Sequence, residues 1–281
     1  MRFSERIGAV RRVLQKESID ESLKNSLWNA VYKRFWEHHT RRMDQPVTDV
    51  IEGQLLLSLW TEHFNQPADE ALMGFKNVVK QIRGLYMVAD WWGVYDFVEF
   101  VVNYPRSREQ NANLIAELNL ALEKHLSAYR FVGMTLAPIT SEEEITAVEE
   151  AMSHGDQFRP VVAHLETALA RLADRVSPDY RNSIKESVSA VEAVCQILTS
   201  DAKTSLGQAL KKLGIHPALE KGFSAIYGYT SDADGIRHAL SEETTVDADD
   251  AKFFLVSCSA FVNYLIAKSA VQPRVASNKL L

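Results

Sequence analysis

Two stretches of this chain, some fifty residues apart, repeat an apolar residue at alternating steps of four and three. Ile184, Val188, Val191, Cys195 and Leu198 form the first, and Ala251, Leu255, Cys258, Val262 and Leu265 the second. An α-helix turns once in 3.6 residues, so such a series stays on one face. Two such faces predict a pair of long helices packed antiparallel, with both cysteines buried between them and shorter helices joining them. The second half is therefore expected to be a helical bundle. A helix over about 158–175 precedes it and stops before Ser177-Pro178, with Pro178 suited to the first turn of the next helix.

The first half follows the same periodicity with more aromatic residues. A helix over 19–41 is opened by Ser18-Ile19-Asp20-Glu21, a fit to the capping box. Leu23, Leu27 and Val31, flanked by Trp28, Tyr32, Phe35 and Trp36, give it a broad core face. Further helices are expected at about 47–65, 70–88, 90–103 and 107–127, separated by Pro67, by Gly84 or Gly93, and by Pro105. All five tryptophans fall within residues 28–92, so this half has its own aromatic core. Between Tyr129 and Ile139, β-branched and aromatic residues on both sides of Gly133 predict a short hairpin. Thr140 or Ser141 then caps a helix with three glutamates in its first turn, and Gly155 is placed as its C′ residue. The fold class expected is all-α with one short β-hairpin. The domains expected are a helical domain over 1–155, a helical bundle over 156–270 and a flexible tail over 271–281.

Composition removes several classes. With 46% hydrophobic and 24% charged residues the chain is neither disordered nor fibrous. The charged opening, Met1-Arg2-Phe3-Ser4-Glu5-Arg6, lacks a secretory apolar run. The most apolar stretch, 84–104, contains Asp90, Asp96 and Glu99, which are costly in lipid, so it reads as a core helix. With only Cys195 and Cys258 present, a cytoplasmic protein without a membrane partner is expected. Charge is uneven: residues 1–46 carry +4, residues 47–155 carry −9 and residues 156–281 carry −1. Lys33, Arg34, Arg41 and Arg42 lie in the basic opening and could meet phosphate; the other reading is a solvated helix face balanced by the acidic segment that follows.

Common catalytic signatures are missing. There is no glycine-rich phosphate loop, no G-x-S-x-G elbow and no H-E-x-x-H or Cys/His zinc spacing, and His38 and His39 are adjacent, which on a helix points them about 100° apart. No cofactor or metal is expected. One segment does not read as plain bundle: Tyr227-Gly-Tyr-Thr-Ser-Asp-Ala-Asp-Gly-Ile-Arg-His238. Ser231 or Asp232 can cap a helix whose first turn presents Asp234, Arg237 and His238, with Tyr227 and Tyr229 alongside as nucleic-acid contacts. Free amides, a guanidinium and an imidazole at a helix start suit phosphate or an RNA backbone. The other reading is a capped turn whose His and Asp satisfy each other and the backbone.

This segment, together with the run from Ser177 to Ala193, His216-Pro-Ala-Leu219 and the run from Ala251 to Tyr264, resembles the HEPN-like C-terminal half of bacterial abortive-infection proteins. The first half resembles the AbiJ-type N-terminal domain found with it, through Phe3-Ser-Glu-Arg6, Leu23-Lys-Asn-Ser-Leu-Trp-Asn29, Tyr129-Arg-Phe-Val132 and Ile139-Thr-Ser-Glu-Glu-Glu-Ile145. The resemblance implies a bundle that dimerises through the C-terminal domain and, in active members, cleaves RNA without metal. Those members use an Arg-x(4–6)-His motif, His moving a proton and Arg meeting the phosphate charge. This sequence departs from it: Ser231, Asp232 and Ala233 stand where the Arg belongs, and Arg237 is next to His238. The expected function is a HEPN-like effector or regulator of anti-phage defence, with His238 as acid/base, Arg237 on the phosphate and Asp232 or Asp234 orienting the imidazole. The alternative is a non-catalytic helical dimer that binds nucleic acid or a partner defence or antitoxin protein.

Overall fold

A computed structural model describes residues 14–37, 53–72, 74–105, 108–174, 176–231 and 246–271. Among them the chain forms eleven α-helices, short 3-10 and π segments, and one two-stranded hairpin, which is the all-α class expected. Residue contacts divide it into two compact units, 1–136 and 137–281.

The first unit holds α1 (Glu21–Phe35), α2 (Gly53–Ser58) running directly into a π-helix (Leu59–His63), a 3-10 turn (Ala68–Leu72), α3 (Phe75–Val88), α4 (Trp91–Asn103), α5 (Arg108–Lys124), β1 (Arg130–Val132) and β2 (Thr135–Ala137, whose last residue begins the second unit). Its core is built around Trp28 of α1, whose ring lies 5.4 Å from Trp36, 5.3 Å from Tyr86 and 6.0 Å from Phe97. Offset and tilted contacts of this kind add to the area that each ring removes from water.

The helix ends differ from the sequence reading. Asp20, not Ser18, caps α1: its Oδ1 accepts from Leu23 N at 2.7 Å, and its own N–H donates to Gln15 Oε1 at 2.6 Å, the role that Glu21 was expected to fill. Neither Gly84 nor Gly93 breaks a helix; both lie inside one, and the chain turns at Ala89 and Asp90, which have extended ψ of 146° and 168°. That turn is fixed by Lys24, whose ammonium donates to Met87 O at 3.3 Å and Ala89 O at 2.6 Å at the C-terminal end of α3. The hairpin turns at Gly133, whose φ of 57° suits a residue without Cβ. Asn119 holds it from both sides, accepting from Phe131 N at 2.8 Å and donating to Phe131 O at 3.0 Å.

The second unit holds α6 (Glu142–Met152), a 3-10 turn (Asp156–Phe158), α7 (Arg159–Ala173), α8 (Tyr180–Thr199), α9 (Leu206–Lys212), α10 (Pro217–Ser231) and α11 (Ala248–Val271). Ser141 caps α6, accepting from Glu144 N at 3.4 Å. Gly155 is not a left-handed C′ residue: its φ is −65° and it leads into the 3-10 turn. Pro178 precedes the N-cap, Asp179, because that side chain accepts from Asn182 N at 3.1 Å and starts α8 one residue later. The two long seams meet as expected: α8 and α11 pack on each other and Cys195 and Cys258 are buried. Asn263 ties α6 to α11, its amide nitrogen donating to Ala147 O at 3.0 Å and its Oδ1 accepting from His154 Nε2 at 3.0 Å. Among the described residues α11 alone is long and apolar enough to cross a membrane, and one face of it is packed into this bundle.

Phe97 is fully buried against Trp28 and Tyr86. Phe97→Ala is expected to cost about 3–5 kcal/mol by chemical denaturation, and Asp20→Ala about 1 kcal/mol through the lost cap.

Candidate nucleic-acid interface

Of the residues assigned to phosphate chemistry, Asp232, Asp234, Arg237 and His238 lie outside the described residues, as do Arg41 and Arg42. What is described is the helix that leads to them. α10 runs through Ser231, and Tyr227 and Tyr229 sit in its last two turns. Tyr227 is half-buried, and its hydroxyl donates to Glu192 Oε1 of α8 at 2.7 Å. Beneath it, Val188 and Val191 of α8, Phe223 and Ile226 of α10, and Cys258 and Phe261 of α11 enclose an apolar crevice of about 20 Å³. That is room for about one water molecule and no ligand, so the crevice is a packing seam. The Glu192–Tyr227 bond therefore fixes the last turns of α10 against α8.

Lys33 and Arg34 occupy the last turn of α1, where positive charge offsets the negative end of the helix dipole. The Arg159-x4-His164 spacing, which matches the RNA-cleaving pattern literally, puts both residues on α7, where His164 Nδ1 pairs with Glu186 Oε2 of α8 at 2.6 Å. His164 is thus a tie between two helices. Burial pushes the thiols of Cys195 and Cys258 up to about 12, so neither is a thiolate nucleophile at neutral pH.

A second concentration of titratable groups, which the sequence reading treated only as acids in an apolar stretch, lies in the first unit. His63 ends the π-helix, whose wide turn is closed by Phe64 N donating to Leu59 O at 2.9 Å. Its ring stands 4.6 Å from Phe64 and 5.3 Å from Phe100, and burial pushes its pKa down against the opposing pull of Asp96. Burial raises the carboxyls of Asp96 and Glu99, while the N–H of Leu136, donated to Glu99 Oε1 at 2.8 Å, partly offsets the shift at Glu99. The signal that could have found this cluster was present: two acids three residues apart, on one face of a helix that is otherwise apolar. Among the described residues no group of three His, Cys, Asp or Glu is placed to hold a metal.

Two measurements follow from these environments. A thiol reagent at pH 8 should leave both cysteines unmodified in the folded protein and modify both in denaturant; rapid modification of either in the folded state would contradict their burial. For His63 the folded pKa lies below the unfolded value, so the unfolded chain binds more protons and stability falls as pH drops through about 6.5. Asp96 and Glu99 act in the opposite direction, since their folded values are raised and protonation above about pH 4 favours the folded state. Wild-type stability relative to His63→Gln should accordingly increase from pH 5 to pH 7 in urea titrations.

No curated protein and no solved structure shows a significant match to the chain. A family model does: residues 1–154 match AbiJ N-terminal domain 4, a span that covers the first unit and continues through α6. With more than half of its length matched, the chain belongs to the AbiJ N-terminal domain 4 family and is an AbiJ-type abortive-infection protein.

Proposed function

We propose that this protein is a HEPN-like effector or regulator of abortive-infection defence that acts in the cytoplasm on RNA through residues 227–238. The observation that carries the reading is the family match over residues 1–154, followed by a helical bundle in the second unit. In this reading His238 moves the proton at the ribose 2′-hydroxyl or at the leaving oxygen, Arg237 neutralises the charge growing on the phosphate, and Asp232 or Asp234 orients the imidazole. Tyr227, fixed by Glu192, offers a ring for a base to stack on.

A homodimer through the second unit belongs to the same reading. α11 carries a second apolar stripe opposite its buried seam, formed by Phe253, Val256, Ala260, Tyr264 and Ala267 at steps of three and four. Phe253 is 54% exposed and Tyr264 38% exposed. A helix that is apolar on both faces belongs between two partners. The non-catalytic alternative, a helical dimer that binds nucleic acid or a defence or antitoxin protein, is favoured by one sequence fact: no arginine stands at the position that the RNA-cleaving motif requires.

Incubation with total RNA in EDTA distinguishes the two. Fragmentation that is lost in His238→Ala and slowed about a hundredfold in Arg237→Ala supports cleavage; intact RNA with a measurable shift in a binding gel supports the alternative. Light scattering should give twice the chain mass, falling toward the monomer when Tyr264 is replaced by Glu.

A further inference from the structure

α4 buries one face completely through Val94, Phe97, Val98 and Val101. Its outer face is not the plain polar surface that a core helix usually gives to water. Trp92 is 57% exposed, Asp96 one turn later is exposed, and Glu99 and Phe100 are half-buried. Positions 92, 96, 99 and 103 follow one another along one side of the helix. His63 lies against this side, its ring between Phe64 and Phe100.

Among the described residues neither Asp96 nor Glu99 has a Lys or Arg partner; Glu99 has the N–H of Leu136, and Asp96 faces His63, which burial keeps in its neutral form at pH 7. Asp90 and Glu62, both exposed, add negative charge on the adjoining turns. An exposed indole one turn from an unpaired carboxylate has the two elements that recognise a guanidinium or ammonium group: a π face for the cation and an anion to pair with it. Tryptophan and arginine are also the residues that carry most of the energy at protein interfaces. RNA does not fit here, because its phosphates would meet two carboxylates at short range.

We infer that the Trp92–Asp96 face of α4 docks a segment of a partner protein that presents a Lys or Arg side chain, the cation lying over the Trp92 indole and pairing with Asp96 while an apolar neighbour contacts Phe100. The site is separate from the RNA reading of residues 227–238.

The test uses the full chain and a synthetic peptide alternating Arg with Leu, beside a same-length peptide with Glu replacing Arg, followed by calorimetry and by tryptophan fluorescence. The Arg peptide should bind saturably and more weakly at high salt, and the Glu peptide should not bind. Trp92→Ala and Asp96→Asn should each weaken binding by about tenfold or more with unchanged thermal melts. Asp96→Asn is nearly isosteric at an exposed position, so it keeps the test readable where Trp92→Ala fails to fold. Binding of neither peptide, equal binding of both, unchanged affinity in both variants, or displacement of the Arg peptide by a short RNA at this face would each overturn the inference.

Discussion

In a chain built from helices, the amides at the start of each helix and the carbonyls at its end have no partner within the helix, and something must supply one wherever the end is not in water. That constraint decides where this chain turns. Asp20, Ser141, Asp179 and Ser205 each accept an amide proton from the first turn of their helix. Lys24 does the converse at the end of α3, reaching from α1 to two carbonyls sixty-odd residues away in sequence. Tyr86 returns the tie by donating its hydroxyl to Lys24 O at 2.8 Å. With those three bonds, the junction between α3 and α4 is fixed by a helix that is not adjacent to it in sequence, and the Trp28 cluster is closed at the same point.

The same constraint explains which parts of the fold were legible in the sequence. Helix faces are a local property, and of the two series from Ile184 and from Ala251 every residue but the half-buried Leu198 is buried, cysteines included. Helix ends are less local. The reading that placed breaks at Gly84 or Gly93 relied on intrinsic propensity, and inside a packed helix the cost of a glycine is about 1 kcal/mol, which the burial of Ile82, Tyr86, Val94 and Phe97 readily exceeds. Ser18 and Asp20 both satisfy a capping pattern; the choice between them was made by Gln15, whose side chain occupies the Asp20 amide. Gly155 and Pro178 have the residue types of helix punctuation, but the punctuation itself falls one or two residues away, at Ser153 and Asp179.

The candidate sites divide along the same line. Tyr227 was legible as an aromatic residue in an unusual segment, whereas its partner, Glu192, lies 35 residues earlier and had no mark in sequence beyond being, with Glu186, one of two acids on α8. The His63 group was the reverse case. Asp96 and Glu99 were noticed as acids within an apolar run, and only the π-helix that swings His63 against Phe100 makes them part of a group. A π-helix has no dependable sequence signature, so His63 could not have been placed there from spacing.

Apolar composition alone does not say what a helix is for, and two stretches of this chain show why. Residues 84–104 are long enough to span a membrane, but Ala89 and Asp90 break them into two helices, Asp96 remains exposed and Glu99 is satisfied by a backbone amide. The acids there mark an outer face, and an exposed tryptophan within such a face is the anomaly to be explained. α11 is the opposite arrangement. After Lys252 it has no charged residue until Lys268, so nothing in its composition assigns a solvent side, and packing within the bundle uses only one of its two apolar stripes. Phe253 and Tyr264 on the outer stripe are exposed while the α8 seam on the opposite side is buried, so a substitution at either ring changes the surface of this helix without opening the seam that holds the bundle together.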